Sequence, residues 1–130
     1  MTKHDLNKYR HLLEEKKLIE AQLQACYNAI GSPNGRTDGS HGSTLGDPTA
    51  RAAMEAIKLK DKLENKCMEI MIKANEIETW LDSIEDPEIR NIVRLRYFQS
   101  MSWAAVSHEL YGADATPEKP QVLLARFLTD

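Results

Sequence analysis

The sequence lacks the features of membrane and secreted proteins. No stretch approaches the roughly 18 consecutive apolar residues of a membrane span, and the first ten residues, MTKHDLNKYR, are charged and contain no apolar signal-peptide core. There are only two cysteines, Cys26 and Cys67. Both fall on predicted apolar helix faces, so we expect free, buried thiols in a reducing compartment. These features predict a cytoplasmic protein.

The sequence also lacks the residue spacings of metal and catalytic sites. The four histidines are scattered over unrelated elements, and no His-x3-His or Cys-x2-Cys spacing occurs. Ser102 and Ser107 have no positioned base near them in sequence, and capping or surface positions explain both. We therefore predict a non-enzyme with no metal ion and no cofactor.

Glycine is scarce outside one segment. Five of the six glycines lie in residues 31–47, GSPNGRTDGSHGSTLGD, where almost nothing is apolar. A chain of this composition cannot bury enough surface to order itself, so residues 32–47 are predicted to be a flexible linker. The segment has no Walker-type phosphate loop. A loop that touches DNA or a partner through Arg36 and His41 is the minority interpretation.

Apolar residues on both sides of this segment recur at heptad spacing. Residues 1–31 and 48–85 are predicted to be two long helices that pair as an antiparallel, coiled-coil-like hairpin. Additional apolar residues on the second helix, including Trp80, are expected to pack on the C-terminal helices or on a second chain, and we favour a homodimer. The seams are Tyr9, Leu12, Ile19, Leu23, Cys26 and Ile30, broken at Lys16, and Ala56, Leu63, Cys67, Ile70, Ala74, Ile77, Leu81 and Ile84, broken at Lys60.

Residues 86–130 predict three short helices separated by two breaks. Asp86 can cap a helix that opens with Pro87, and Ser102 can cap a second helix after an interruption at residues 99–101. Gly112 stands where a left-handed C-cap is needed, and Thr116 precedes the last helix. The all-α prediction is therefore a hairpin followed by a helix-turn-helix. The expected inward residues are Ile89, Ile92, Val93, Tyr97, Trp103, Val106, Leu110, Val122, Leu123, Phe127 and Leu128.

Residues 89–98, IRNIVRLRYF, followed by SWAAV at residues 102–106, carry a resemblance to a known family. They resemble region four of bacterial sigma factors, in which a helix ending in LRY or LRYF precedes a scaffold helix with a small residue followed by Trp. The order of elements, with GDPTARAA at residues 46–53, is similar to the ArpU/RinA-type phage regulators.

This resemblance implies a phage or prophage transcriptional regulator that binds promoter DNA and controls late gene expression. The long hairpin would dimerise it or dock it on RNA polymerase. The helix at residues 102–111 would cross the DNA backbone, and the last helix would enter the major groove. The implied contacts to double-stranded DNA are Arg90, Arg94, Arg96, Ser102, Lys119, Gln121 and Arg126.

The charge balance supports a second interpretation. The formal net charge of the chain is −3. From residue 87 onward there are five basic and five acidic residues, so this region has no net charge. Because phosphate contacts supply much of the affinity of DNA-binding proteins, a helical adaptor that binds RNA polymerase or another regulator without reading DNA is the alternative. Clustering of the basic residues on one surface would favour DNA. If Arg94 and Arg96 do not contact phosphates, we expect them to face solvent or to pair with Glu88 or Glu109.

The start of the last helix is the least regular part of this region. Pro117 and Pro120 both occur there, and proline distorts a helix beyond its first turn. We therefore expect the last helix to begin as late as Lys119 or Pro120 and to span about two and a half turns.

Overall fold

A computed structural model describes residues 1–30 and 48–129, and all regular structure within them is helical. This confirms the all-α prediction. Of the predicted features, the linker at residues 32–47, including Arg36 and His41, lies outside the described residues. The helices are α1 (Lys3–Ile30), α2 (Pro48–Asp82), α3 (Pro87–Val93) continued by a π-helical turn (Arg94–Phe98), α4 (Trp103–Tyr111) and α5 (Glu118–Thr129). None of these helices is both long and apolar enough to span a bilayer.

The chain forms two compact units, of which the first, Leu13–Glu69, is called the two-helix unit. Its α1 and α2 segments pack through Leu23, Ala56 and Leu59, with Ile19, Cys26 and Leu63 around them. The Lys66 ammonium lies 3.4 Å from a Glu15 carboxylate oxygen. Because Leu23 packs near the start of α2 whereas Glu15 reaches Lys66, the two segments run antiparallel.

The buried seam of α2 differs from the predicted one at a single step. Leu59 is 2% exposed, whereas Lys60, predicted as a break in the seam, is exposed and has its ammonium 5.8 Å from the centre of the Tyr27 ring. Leu59 lies three residues after Ala56 and four before Leu63, so it continues the apolar stripe without a break. The buried seam of α1 also differs from the predicted one, because its last predicted residue, Ile30, is exposed.

The second unit, called the five-helix unit, combines Met1–Leu12 with the chain from Ile70 onward. The Tyr97 hydroxyl lies 3.4 Å from the Asn7 side-chain oxygen of α1. On the next residue, the Phe98 ring meets the Tyr9 ring edge-on at 5.4 Å. The buried apolar residues of this unit are Leu6, Tyr9, Leu12, Ile77, Leu81, Ile84, Ile89, Ile92, Val93, Tyr97, Val106, Pro120 and Leu124.

Trp80 packs on the C-terminal helices, one of the two positions expected for it. Its ring centre lies 6.3 Å from that of Phe127 on α5. Aromatic pairs at this separation add to the free energy gained by burying their area. The end of α2 is therefore joined to α5 through an aromatic contact within the five-helix unit.

The predicted N-caps of α3 and α4 are confirmed. An Asp86 carboxylate oxygen accepts the Glu88 N–H at 2.9 Å, and the Ser102 hydroxyl accepts the Ala105 N–H at 3.1 Å. Gly112 has φ +100°, a conformation that residues with a Cβ rarely adopt. The sequence did not predict the π-helical turn, which is closed by the Gln99 N–H on the Arg94 carbonyl at 3.0 Å.

Helix α5 begins earlier than expected and has a different inner face. It starts at Glu118 and runs for twelve residues, with Pro120 fully buried in its first turn. N–H groups of a first turn have no partner within the helix, so proline costs no hydrogen bond there. The prediction that Val122 faces inward is wrong, because Val122 is 42% exposed whereas Leu124 is 2% exposed. Pro120 and Leu124, four residues apart, define the inner face.

The surface or capping position expected for Ser107 is also wrong. Ser107 has no exposed surface, and its hydroxyl donates to the Thr116 carbonyl at 2.7 Å. A buried hydroxyl without a partner costs free energy, and this bond satisfies it. The hydrogen bond ties α4 to the loop that leads into α5.

Replacing Ser107 by alanine should destabilise the five-helix unit. Ser107→Ala removes the hydrogen bond that the buried hydroxyl donates to the Thr116 carbonyl, so the free energy of unfolding should fall by about 1 kcal/mol. Ser83→Ala is the matched control, since Ser83 makes the same kind of bond to the Trp80 carbonyl at an exposed site. Urea denaturation followed by circular dichroism compares the two variants, and equal losses would contradict a special role for Ser107.

Candidate nucleic-acid interface

The candidate interface is built from α3, α4 and α5. Helix α5 packs against both α3 and α4. The turn between α4 and α5 is set by Gly112, whose N–H donates to the His108 carbonyl at 3.0 Å and whose carbonyl accepts the Ala115 N–H at 3.2 Å. Together with the bond from Ser107 to Thr116, these contacts fix how α5 leaves α4.

Two of the predicted contact residues share one side of α5. Lys119 and Arg126 are both exposed, and their separation of seven residues, about two turns, places them on the same side of the helix. Val122 lies between them. A shallow groove on this side is lined by Thr116, Glu118, Lys119, Val122, Leu123 and Arg126. This surface, called the α5 groove below, therefore combines two cations with an exposed aliphatic side chain.

Gln121 is exposed but lies apart from the two cations. At about 100° per residue it is roughly 200° around α5 from Lys119. The inner face, with Pro120 and Leu124, occupies the arc between them on one side. The structure thus does not bring all three polar candidates of α5 into one cluster.

Lys119 is positioned by a chain of contacts that crosses three helices. Its ammonium lies 4.0 Å from the centre of the Tyr111 ring, a cation–π contact. The Tyr111 hydroxyl donates to a Glu88 carboxylate oxygen at 2.9 Å. Burial first, and then the hydrogen bond to Glu88, raises the pKa of Tyr111 to about 12. Tyr111 is therefore protonated, and able to donate, at neutral pH.

The arginines before α4 are engaged within the five-helix unit. Arg94 lies 3.1 Å from a Glu78 carboxylate oxygen of α2, and neither Glu88 nor Glu109 is the partner in that ion pair. The Arg96 guanidinium lies 4.6 Å from the centre of the Trp103 ring and donates to the Met101 carbonyl at 3.0 Å. Arg96 thus packs against the start of α4. Arg90, on α3, is half-buried.

The predicted contact residues therefore fall into groups with different environments. Lys119 and Arg126 line the α5 groove, and Gln121 is exposed on the other edge of α5. Ser102 uses its hydroxyl as the cap of α4, and Arg94 is held in an ion pair that stays half-exposed on both partners.

Two features of the candidate interface were not predicted from the sequence: the exposure of Val122 and the ion pair of Arg94 with Glu78. Val122 was assigned to the core, although the four-residue spacing of Pro120 and Leu124 was a signal that it points outward. Glu78 is sixteen residues from Arg94, on a different helix, so no local spacing could have paired them. Among the described residues, no group of three or more His, Cys, Asp or Glu side chains could hold a metal ion.

Residues 50–117 match DUF1492, described as a protein of unknown function. The match spans just over half of the 130 residues. The chain belongs to the DUF1492 family. The matched residues run from the first turn of α2 to the residue before α5. No curated protein and no solved structure matches the chain.

Replacing Tyr111 by phenylalanine should destabilise the five-helix unit in a pH-dependent way. The loss of the hydrogen bond to Glu88 should lower the free energy of unfolding at neutral pH by about 1 kcal/mol. The folded pKa of Tyr111, about 12, lies above its ordinary value of 10. Its contribution is therefore complete below pH 10 and is lost as the pH rises toward 12.

Denaturation of wild type and Tyr111→Phe between about pH 7 and about pH 11.5 measures this effect, because the difference between them should shrink at the alkaline end. Tyr27→Phe, at an exposed tyrosine of the two-helix unit, is the control and should leave stability nearly unchanged. A Tyr111→Phe difference that stayed constant across this range would argue against ionisation of Tyr111 as the cause.

Proposed function

We propose that this protein is a DNA-binding transcriptional regulator of the phage or prophage kind that its sequence resembles. In this proposal α3, α4 and α5 act as a sigma-region-four-like helix-turn-helix. The supporting observation is the position of α5, which packs on both α3 and α4 while exposing Lys119 and Arg126 on one side. Helix-turn-helix proteins present their second helix to the major groove in this manner.

In the proposed complex, α5 enters the major groove and α4 crosses the DNA backbone. Lys119 and Arg126 contact phosphates or guanine edges, and Gln121, on the other edge of α5, can pair with adenine. Tyr111 holds Lys119 in place before binding, which lowers the ordering cost of its long side chain. Because the C-terminal region has no net positive charge, few phosphate contacts form and the salt dependence should be correspondingly small.

Arg94 contributes in this proposal only after exchanging its partner. Its ion pair with Glu78 is half-exposed, and such pairs contribute little to stability. A DNA phosphate could therefore compete with the Glu78 carboxylate at low cost. Arg96 is excluded from that exchange because it packs on Trp103 and bonds the Met101 carbonyl.

We also propose that the long helices join two copies of the chain. Large apolar side chains are exposed along α2, among them Met54, Ile57, Met71 and Ile72. Exposed apolar surface of this kind is characteristic of interaction sites. A twofold dimer would present two α5 helices to two half-sites.

A second candidate function is that of an adaptor that binds RNA polymerase or another regulator without reading DNA. The specific observation in its favour is the engagement of Arg94 and Arg96 within the unit, together with Glu118 in the α5 groove. A binding titration against DNA fragments from the protein's own genomic neighbourhood, with non-specific competitor present, separates the two functions. Saturable binding to one fragment supports the regulator, and absence of binding at low salt supports the adaptor.

The double variant Lys119→Ala/Arg126→Ala should lose specific DNA affinity. Each lost charged contact should weaken binding by about tenfold and lower the salt slope by about one. Lys17→Ala/Lys58→Ala, which removes the same charge from exposed positions of the two-helix unit, is the matched control. Fluorescence anisotropy at two salt concentrations gives both quantities. Equal losses of DNA affinity in the two variants would mean that binding depends only on the net charge. In that case the α5 groove would not be part of the DNA interface.

Glu78 and Arg94 should have opposite effects on DNA binding. Glu78→Gln releases Arg94 for phosphate, so specific affinity should rise about two- to fivefold, while Arg94→Ala should lower it by a similar factor. The double variant should resemble Arg94→Ala, because Glu78 acts only through Arg94. An unchanged affinity in Arg94→Ala would show that this arginine does not meet the backbone.

A further inference from the structure

We infer that Val122 recognises thymine through its 5-methyl group and so determines part of the sequence specificity of this protein. The inference rests on the proposed function, because it assigns a role to one side chain of the same DNA interface. Val122 lies in the α5 groove, yet none of the DNA contacts implied by the sequence resemblance includes it.

The exposure of Val122 is the first observation. It is 42% exposed, whereas Leu124 on the same helix is 2% exposed. Leu123, Phe127 and Leu128 are each half-buried. The inner face of α5 is thus complete without Val122, whose two methyl groups contribute little to the core. An aliphatic side chain in that position is available to an apolar partner.

The charges around Val122 indicate which part of DNA it would face. Lys119 lies three residues before it and Arg126 four residues after it, along the side of the α5 groove. Glu118 lies one turn before it, in the same groove. A carboxylate and an aliphatic group are poor neighbours for a phosphate, whereas the two flanking cations suit phosphates well.

The centre of this surface therefore fits base edges, with the backbone at its margins. In the major groove, the 5-methyl group of thymine is the apolar group that distinguishes a base pair. Cytosine has an amino group there, and a carboxylate can accept a hydrogen bond from it. Val122 is the fifth residue of α5, within the N-terminal part that reads bases in helix-turn-helix proteins. A thymine methyl is the partner that Val122 fits.

The test uses the full-length chain and a defined probe. The tightest-binding duplex is first selected by the wild-type protein from a random-sequence library, and each thymine is then replaced singly by uracil, which lacks only the methyl group. We expect uracil at one or two positions to weaken wild-type binding roughly three- to fivefold, the effect of one buried methyl group.

Val122→Ala should abolish this sensitivity at those positions while binding the uracil duplex about as well as wild type does. The exposed position of Val122 and the high helix propensity of alanine keep the fold intact. Leu18→Ala, a truncation at a more exposed apolar residue of the two-helix unit, is the control and should retain full uracil sensitivity.

The outcomes separate the inference from the function it rests on. If no sequence is enriched from the library, the proposed DNA-reading function fails. If one sequence is enriched but no thymine is sensitive to uracil, or if Val122→Ala is as sensitive as wild type, the function stands and the assignment of Val122 is wrong.

Discussion

The hydroxyl of Ser107 donates to the carbonyl of Thr116 from a position without exposed surface, and the placement of α5 depends on this bond. Thr116 lies just before α5 begins, so the bond fixes the start of that helix relative to α4. Gly112 makes the turn between them possible through its positive φ. Once the start is fixed, Pro120 and Leu124 can face inward together. This placement decides which side chains of α5 remain outside and line the α5 groove.

The same unit uses much of its positive charge internally. Arg94 pairs with Glu78, Arg96 packs on Trp103, and Lys119 rests on Tyr111. Contacts of this kind orient side chains more than they stabilise the fold, because half-exposed ion pairs are worth little. In the proposed complex, the cations are already oriented before DNA binds, and this orientation would compensate for the small number of cations. Base contacts, such as the one inferred for Val122, would then carry a larger share of the discrimination between sequences.

Local sequence signals predicted much of the fold because they depend on neighbouring residues. Asp86 and Ser102 cap their helices as predicted, since each side chain reaches an N–H two or three residues away. The heptad spacing predicted both long helices, and it departs from the buried residues at two positions: Leu59 is buried in place of Lys60, and Ile30 is exposed. The π-helical turn at Arg94–Phe98 left no such signal, because a widened turn has no local sequence rule of comparable strength.

The sequence by itself determined that the chain is helical and where α3 and α4 begin, because periodicity and capping act over a few residues. Only the tertiary structure decided which cations are engaged and which face of α5 is free. The ion pair of Arg94 with Glu78 joins residues sixteen apart on different helices, and the contact of Tyr97 with Asn7 joins residues ninety apart. Such pairings depend on how helices pack, and packing is settled by the burial of all their faces at once.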